Sequence, residues 1–473
     1  MRMQWDMPEP PDRPEFFDED DLEGPSVWFF VVLYVLLELA AIGLTVFNWP
    51  AGQSTVTGRF WISVLLLPFL IWVALGAGSF THCEEATNKS GWWNVLRQWR
   101  AAHWRHWARS HLLLMDSVTL TPEDPLAERM LGLEGSPPTN PDKTLLLQQT
   151  EATRASSRLD SLFEQLLKPL ETSIRILARL EKPQVVLQVG DDDCCADLRN
   201  AWKRLALPDQ LTVTWLAPNA ESPLAERWFA EKMPGCRLVI ACQLQADESE
   251  RPCSEVAVAL LLSSPSAVAH ARLTLKPQAC VFRPIVAESD TVNDALAKLL
   301  GSEQIPPGKI RHVWFSRLDR RVRNATTFAV REAALNVASQ DVDRALGHPG
   351  PANAWLLQAM AGQMVQHGQG AQLVASPYRA GVALNLVGIS PGPMVWPKEV
   401  HVPIFSYSFF ISVSVLLLAL MVLVYTGMAP WEDGDTFLVV AMIVAALLIV
   451  LNTIGSWCSR RHITRQFHAR FYE

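Results

Sequence analysis

The sequence predicts an α/β domain held between two pairs of transmembrane helices. Three observations predict it. Four long apolar segments occur as two pairs, one near each end of the chain. Between the pairs, short β-type runs alternate with helical periodicity. Lys and Arg gather beside the outer ends of the apolar segments and avoid the short loops that join them. The chain has 473 residues, 49% hydrophobic and only 19% charged. That balance is too apolar for one soluble domain, so the chain is divided into membrane and soluble parts before anything finer is read.

The first segment, Val27–Phe47, is apolar apart from Glu38. At 1.5 Å per residue it reaches about 31 Å, enough to cross the hydrocarbon core. Phe60–Phe80 is the second span, with Pro68 tolerated as a kink. Ile404–Tyr425 and Phe437–Ile454 form the second pair. Trp28, Trp49, Trp61, Tyr425, Trp431 and Trp457 stand near span ends, as an interfacial belt requires. The first span is no signal peptide. Nine Asp/Glu precede Gly24 against Arg2 and Arg13, and no small-residue cleavage site follows.

Orientation follows from the cations. Lys89, Arg97, Arg100, Arg105 and Arg109 follow the second span, and Arg460, Arg461, Arg465 and Arg470 follow the fourth. The loop Asn48–Arg59 has Arg59 alone, and Gly427–Thr436 has Glu432, Asp433 and Asp435. Both termini and the central domain are therefore expected on the cytoplasmic side. Eight scattered cysteines read as reduced thiols, and none has zinc-site spacing. No metal and no cofactor is implied. Phosphate loops, Gly-x-Ser-x-Gly and kinase signatures are absent. Gly190 runs into Asp191, Asp192 and Asp193, which would repel phosphate.

The expected divisions are an acidic tail (1–26), a transmembrane hairpin (27–83), a juxtamembrane stretch (84–182), an α/β domain (183–400), a second hairpin (401–456) and a basic tail (457–473). In the juxtamembrane stretch, Gly91–His111 holds five tryptophans and four arginines with no acidic residue. As a helix it suits a membrane surface, through Trp92, Trp93, Arg97, Trp99, Arg100, Trp104, Arg105, Trp107 and Arg109. Its place beside a span argues against nucleic acid. The alternative is that the tryptophans pack on the soluble domain. Thr119–Lys143 reads as a linker, and Leu145–Leu180 as an amphipathic helix.

From Pro183 the alternation is regular. Strand-like runs are Val185–Val189, Leu211–Leu216, Arg237–Leu244, Glu255–Ser263, Cys280–Val286, His312–Leu318, Ala371–Ala375 and Gly381–Gly388. Helices fall near Ala196–Leu205, Pro223–Glu231, Val292–Leu300, Thr327–Ala338 and Ala352–Val365. This spacing argues for parallel strands covered by helices.

Leu346-Gly347-His348, the helix PGPANAWLLQAMAGQMVQHGQ and the strands AQLVAS and GVALNLVG resemble the C-terminal end of a thiolase or β-ketoacyl synthase domain. RLVIACQL, SEVAVALLLSS and IRHVWFSRLDRR resemble its earlier strands. The resemblance covers Pro183–Ser390 and implies a thiolase-like layered α/β fold of duplicated mixed sheets with helices. Such domains pair through central strands, which implies a homodimer. The chemistry of that family needs a cysteine thiolate at a helix N-terminus and two histidines, or a His/Asn pair. Cys194 and Cys195 open a helix, but three aspartates precede them, and their strand is earlier than the nucleophile's. His348 alone lies where a catalytic histidine is expected, and its Lys-Ser lead-in is replaced by Arg344-Ala345.

The departures favour a non-catalytic, membrane-anchored scaffold or adaptor that binds a protein partner. In architecture the chain is similar to accessory proteins encoded with type VI secretion effectors. That resemblance implies the bacterial inner membrane and a secreted effector or secretion component as partner. The alternative is a membrane-bound acyl-condensing enzyme using Cys194 or Cys195 with His348. A weaker alternative is a signalling or transport component built on Glu38, an acid near the middle of a span. The blander reading of Glu38 is a protonated carboxyl bonded to Ser63, Ser412 or Ser414.

Overall fold

A computed structural model of the chain describes residues 4–6, 24–148, 158–222, 224, 227–230, 235–245, 253–271, 275–394, 396–397, 402–403, 405–425 and 434–469. Most of the acidic tail, the start of the third span at Ile404 and most of the acidic loop before the fourth span lie outside the described residues. The chain forms two units, one of residues 1–5 and 104–394, the other of residues 6–103 and 395–473.

Helix α1 (Val27–Asn48) comes first. Helix α2 (Gly58–Trp61) runs through a π-turn, Ile62–Leu66, into α3 (Leu67–Ala108). The π-turn has a local cause. Pro68 lacks an N–H and its ring crowds the carbonyl four residues back, at Val64, so the helix widens there instead of breaking.

The α/β unit then begins with strand β1 (His111–Leu120) and the short helix α4 (Leu126–Met130). Helices α5 (Arg158–Leu167) and α6 (Glu171–Leu177) follow. One long amphipathic helix was expected there, and Pro169, which cannot donate, divides it. The first sheet half is completed by β2 (Gln184–Gln188), α7 (Cys194–Arg204), β3 (Thr212–Leu216), α8 (Arg227–Ala230), β4 (Arg237–Gln243) and β5 (Val256–Ser263). Helix α9 (Pro265–Ala271) leads to β6 (Ala279–Phe282), β7 (Ile285–Ala287), α10 (Val292–Gly301), β8 (Ile310–Phe315), α11 (Arg320–Glu332), β9 (Ala338–Asp341), α12 (Val342–Leu346), α13 (Asn353–Gln366), β10 (Ala371–Tyr378) and β11 (Gly381–Gly388). Helices α14 (Tyr407–Tyr425) and α15 (Gly434–Ala469) close the chain.

The sheet contains an internal duplication. Its strand order is β3-β2-β4-β5-β1-β6-β11-β10-β8-β9. Read outward from the centre, β1-β5-β4-β2-β3 matches β6-β11-β10-β8-β9, strand for strand in chain order once β7 is set aside. Directions match too: β2 is parallel to β3 and β4, as β8 is to β9 and β10. Strands β5 and β11 are antiparallel to their neighbours on both sides. The repeats join where β1 meets β6 antiparallel, with Leu113 opposite Cys280, as a two-fold relation requires. This is the duplicated mixed α/β sheet expected from the sequence.

Both faces of the sheet are buried, so its inner strands read as continuous apolar runs. Every residue of β4 and β5 is buried. One face, through Leu187, Leu238, Ile240 and Leu261, packs in one cluster with Phe163, Leu166, Ile174, Leu198, Leu296 and Val330 of α5, α6, α7, α10 and α11. The other, through Val239, Val258, Leu260 and Val374, packs with Trp355, Leu356, Met360 and Met364 of α13. Helix α13 is apolar almost all round, the pattern of a helix enclosed by protein.

Two expectations are corrected here. The α/β unit includes β1, which lies between β5 and β6, so it starts well before Pro183. Strand β9 replaces the end of the helix expected at Thr327–Ala338, because α11 stops at Glu332.

Among the described residues, four helices are long and apolar enough to cross a membrane. Glu84 of α3 caps α14, accepting from the N–H groups of Tyr407 and Ser408 at 2.8 Å each and from Ser406 Oγ at 2.7 Å. Phe30 of α1 stacks on Phe80 with centroids 5.5 Å apart, and Trp72 Nε1 donates to Phe30 O at 2.9 Å.

Candidate functional site

The polar residues of the α/β unit converge where α13 begins. In open α/β sheets the carboxyl ends of parallel strands form the binding crevice. A helix N-terminus adds unsatisfied N–H groups that suit an anion. Here the ends of β2, β4 and β8 all meet the first turn of α13. Gln188, the last residue of β2, accepts from Trp355 Nε1 at 2.7 Å. Gln243, the last of β4, donates to Asn353 Oδ1 at 3.0 Å and to Ser254 O at 2.7 Å. Its Oε1 accepts from the Ala352 N–H at 2.9 Å. Ser316, just past β8, accepts from Asn353 Nδ2 at 2.8 Å and donates to Asp343 Oδ1.

The turn that delivers α13 is fixed by glycine. Gly347 has φ of 83°, and a Cβ there would sit 1.9 Å from Lys143 O. Gly350 is equally confined: a Cβ would lie 2.4 Å from Gln243 Oε1 and 2.9 Å from Cys253 Sγ. The Gly350 N–H donates to Asn353 Oδ1 at 3.4 Å. Asn353 is 1% exposed. The N–H groups of Gly350 and Ala352 are therefore satisfied by the protein's own amides, and the space beside them is filled.

Neighbouring carboxylates are also occupied. Asp343 accepts from Ser316 Oγ and, at 2.8 Å, from the Arg317 N–H; burial pushes its carboxyl above the usual range despite these bonds. Asp341 caps α12 and pairs with Arg323. Glu255 is fully buried and accepts from Arg158 Nη1 at 2.9 Å, Arg158 Nη2 at 2.5 Å and the N–H groups of Leu147 and Gln245. Among the described residues, no group of three His, Cys, Asp or Glu could hold a metal ion.

Cys194 and Cys195 do open α7, after β2, as expected. Desolvation pushes both thiols up, at Cys194 against a backbone bond with Asp191 that lowers it, and the Asp192 carboxylate adds to the rise at Cys195. Cys236 and Cys280 are pushed up to about 12 by burial, and Cys242 is raised as well. His348 is exposed, with its backbone held by Lys143 O and by the Ser254 N–H. Cys253, which the sequence reading passed over, lies beside Gly350 at this same turn; burial raises its thiol too. The amide cluster was also missed. Its only signal was a set of Gln and Asn residues inside otherwise apolar runs, in VVLQ, VIACQ and NAWLL.

The Trp/Arg series is a continuation of α3 and not a separate helix. Trp93 is 1% exposed, packed on Ile463 and Phe467 of α15, and Trp92 Nε1 donates to Thr464 Oγ1 at 3.1 Å. Arg109 is buried, donating to Ser302 O and Pro393 O and pairing with Glu303 at 2.7 Å. Trp104 and Trp107 pack edge-on against Trp5. These side chains pack on other parts of the protein. Trp99 is 6.0 Å from Trp396. Arg97 and Arg105 are exposed, and Arg100 is half-buried. Ser63 and Ser412 donate to backbone carbonyls, Arg59 O and Ala74 O, and not to Glu38.

No protein-family model and no curated sequence matches the chain. Solved structures of similar fold include an oxazolomycin ketosynthase domain from Streptomyces albus, 13% identical over 62% of this chain and 99% of that one, with a TM-score of 0.43. Human mitochondrial 3-ketoacyl-CoA thiolase is 11% identical over 60% and 99%, with a TM-score of 0.35. OleA of Xanthomonas campestris is 11% identical over 59% and 98%, with a TM-score of 0.37. These likenesses concern the chain path. The chemistry has to be argued from the side chains of this chain.

Proposed function

We propose that this chain is a membrane-anchored scaffold whose α/β domain binds a protein partner and performs no acyl transfer. The observation that carries this reading is the filled N-terminus of α13. An acyl-transfer site needs donors left open for a developing oxyanion and a thiolate beside them. Here Gln243 and Asn353 take up the donors, and burial raises the Cys194 and Cys253 thiols, which disfavours a thiolate. Four apolar helices then act as the anchor, with the domain on the cytoplasmic face. The partner proposed is a secreted effector or a component of a type VI secretion apparatus. In a bacterium carrying that apparatus, deleting this chain is expected to abolish delivery of one effector and leave the others intact. Unchanged delivery of all effectors would refute the secretion reading.

Self-association belongs to the same proposal. The central strands β1 and β6 already pair with each other within the chain, so a second copy would join at an edge instead: strand β3 lies at the edge of the sheet, and its outer N–H and C=O groups can continue the sheet into it. Mass photometry in detergent should find dimers; monomers at all concentrations would contradict it.

A further inference from the structure

Helices α3 and α15 enclose a polar groove just beyond their apolar stretches, with a volume of about 250 Å³. That is below the roughly 300–1,000 Å³ of drug-sized sites and suits a headgroup. On α3 it is lined by Glu85, Asn88 and Lys89, and on α15 by Asn452, Ser456 and Arg460, each set at the three- and four-residue spacing of one helix face. Gly455, which also lines it, would meet nothing within 4 Å if it carried a Cβ, so the wall is open there.

The charges in the groove are arranged for a ligand and not for each other. Glu85 and Lys89 are four residues apart on one helix, the usual spacing for an ion pair, yet no such pair forms among the described residues. Glu85 has one long hydrogen bond, from Asn452 Nδ2 at 3.4 Å. Arg460 lies 5.3 Å over the Trp92 ring and donates through Nη2 to Val402 O and Pro403 O, which fixes the guanidinium at the border of the groove. Both cations and the carboxylate border one cavity.

We infer that this groove seats the headgroup of a phospholipid carrying a phosphodiester and a primary ammonium, of the phosphatidylethanolamine kind. The phosphate lies between Lys89 and Arg460, and the ammonium donates to Glu85. The groove begins one turn past Phe80 on α3 and runs on α15 from Asn452, in the last turn of the fourth apolar stretch, to Arg460, so it lies at the edge of the apolar region, where headgroups stand. The inference rests on these helices crossing a membrane, and not on what the α/β domain binds.

The test uses the full chain extracted in detergent from vesicles of equal phosphatidylethanolamine, phosphatidylglycerol and phosphatidylcholine with the same acyl chains, with retained lipid counted by native mass spectrometry. Phosphatidylethanolamine should be retained about tenfold over each of the others, the equivalent of one charge-assisted hydrogen bond. Phosphatidylcholine lacks the N–H to donate, and phosphatidylglycerol lacks the ammonium. Glu85→Gln should remove the preference, Lys89→Ala should lower retention of all three lipids, and Lys89→Arg should keep both, with helical circular dichroism unchanged in all three. Equal retention of the three lipids, a preference that survives Glu85→Gln, retention unchanged by Lys89→Ala, or displacement by excess inorganic phosphate would overturn it. A chain that never enters the vesicles would instead fail the membrane reading, before any lipid is counted.

Discussion

The N-terminus of α13 and the groove between α3 and α15 are built from the same kinds of group, and they are left in opposite states. At α13 each amide of Gln243 and Asn353 meets another protein group, and the glycines leave no room beside them. In the groove, Lys89 and Glu85 stand near each other without pairing, and the wall at Gly455 is open. A polar cluster that closes on itself holds a fold in register. One left open holds a ligand. On the function proposed above, the position most often associated with chemistry in an α/β fold is here a structural one.

The comparison can be broken at several points. The largest effect is expected at Arg158→Ala, which strips the fully buried Glu255 of its only ion pair among the described residues. A buried carboxylate left without its cation costs about 3–5 kcal/mol, read as a lowered midpoint of denaturant unfolding. Next is Asn353→Ala, which unpairs Gln243 and Ser316 together; about 1–3 kcal/mol of stability should go. If Asn353→Ala instead leaves stability unchanged, the cluster is not structural and the comparison fails.

Acidification gives a third test of the α/β unit. Burial holds the His111 and His312 rings below their ordinary value of 6.5. Between the folded and unfolded values the unfolded chain binds more protons, so stability rises with pH through that window and is lost as pH falls below 6.5. Asp343 acts in the other sense. Its raised carboxyl favours the folded state at low pH, and that contribution declines as pH rises above the ordinary 3.8. The melting temperature should therefore drop on going from pH 7 toward pH 5, and His111→Gln should flatten part of the drop. The smallest effect is expected in the groove: Lys89→Ala should change stability by no more than about 0.5 kcal/mol, as for a side chain with no partner to lose.

Much of this architecture is legible in the sequence. The four apolar helices and the inner strands are long, uniform runs whose burial leaves no ambiguity of period. Strand β1 is lost from such a reading because HLLLMDSVTL follows the Trp/Arg stretch directly, and it pairs with segments more than a hundred residues away. Strand β9 is lost for another reason: ASQD has four small or polar residues at the edge of the sheet, where no apolar pattern is required. Cys194 and Cys195 were placed correctly at a helix start, since strand, turn and helix are local. The Gln243–Asn353–Ser316 cluster was not foreseeable, because its bonds join residues 110 and 37 apart in sequence. The packing of Trp93 is hidden for a related reason: the residues that cover it lie some 370 positions away in α15.

The central claim is that the filled helix terminus leaves the α/β domain without acyl-transfer chemistry. Intact-mass spectrometry of the detergent-solubilised chain after incubation with acyl-CoA and acyl-carrier-protein donors tests it most directly. The account predicts no acyl adduct on the wild-type chain. An adduct that disappears on Cys194→Ala, Cys195→Ala or Cys253→Ala would contradict it.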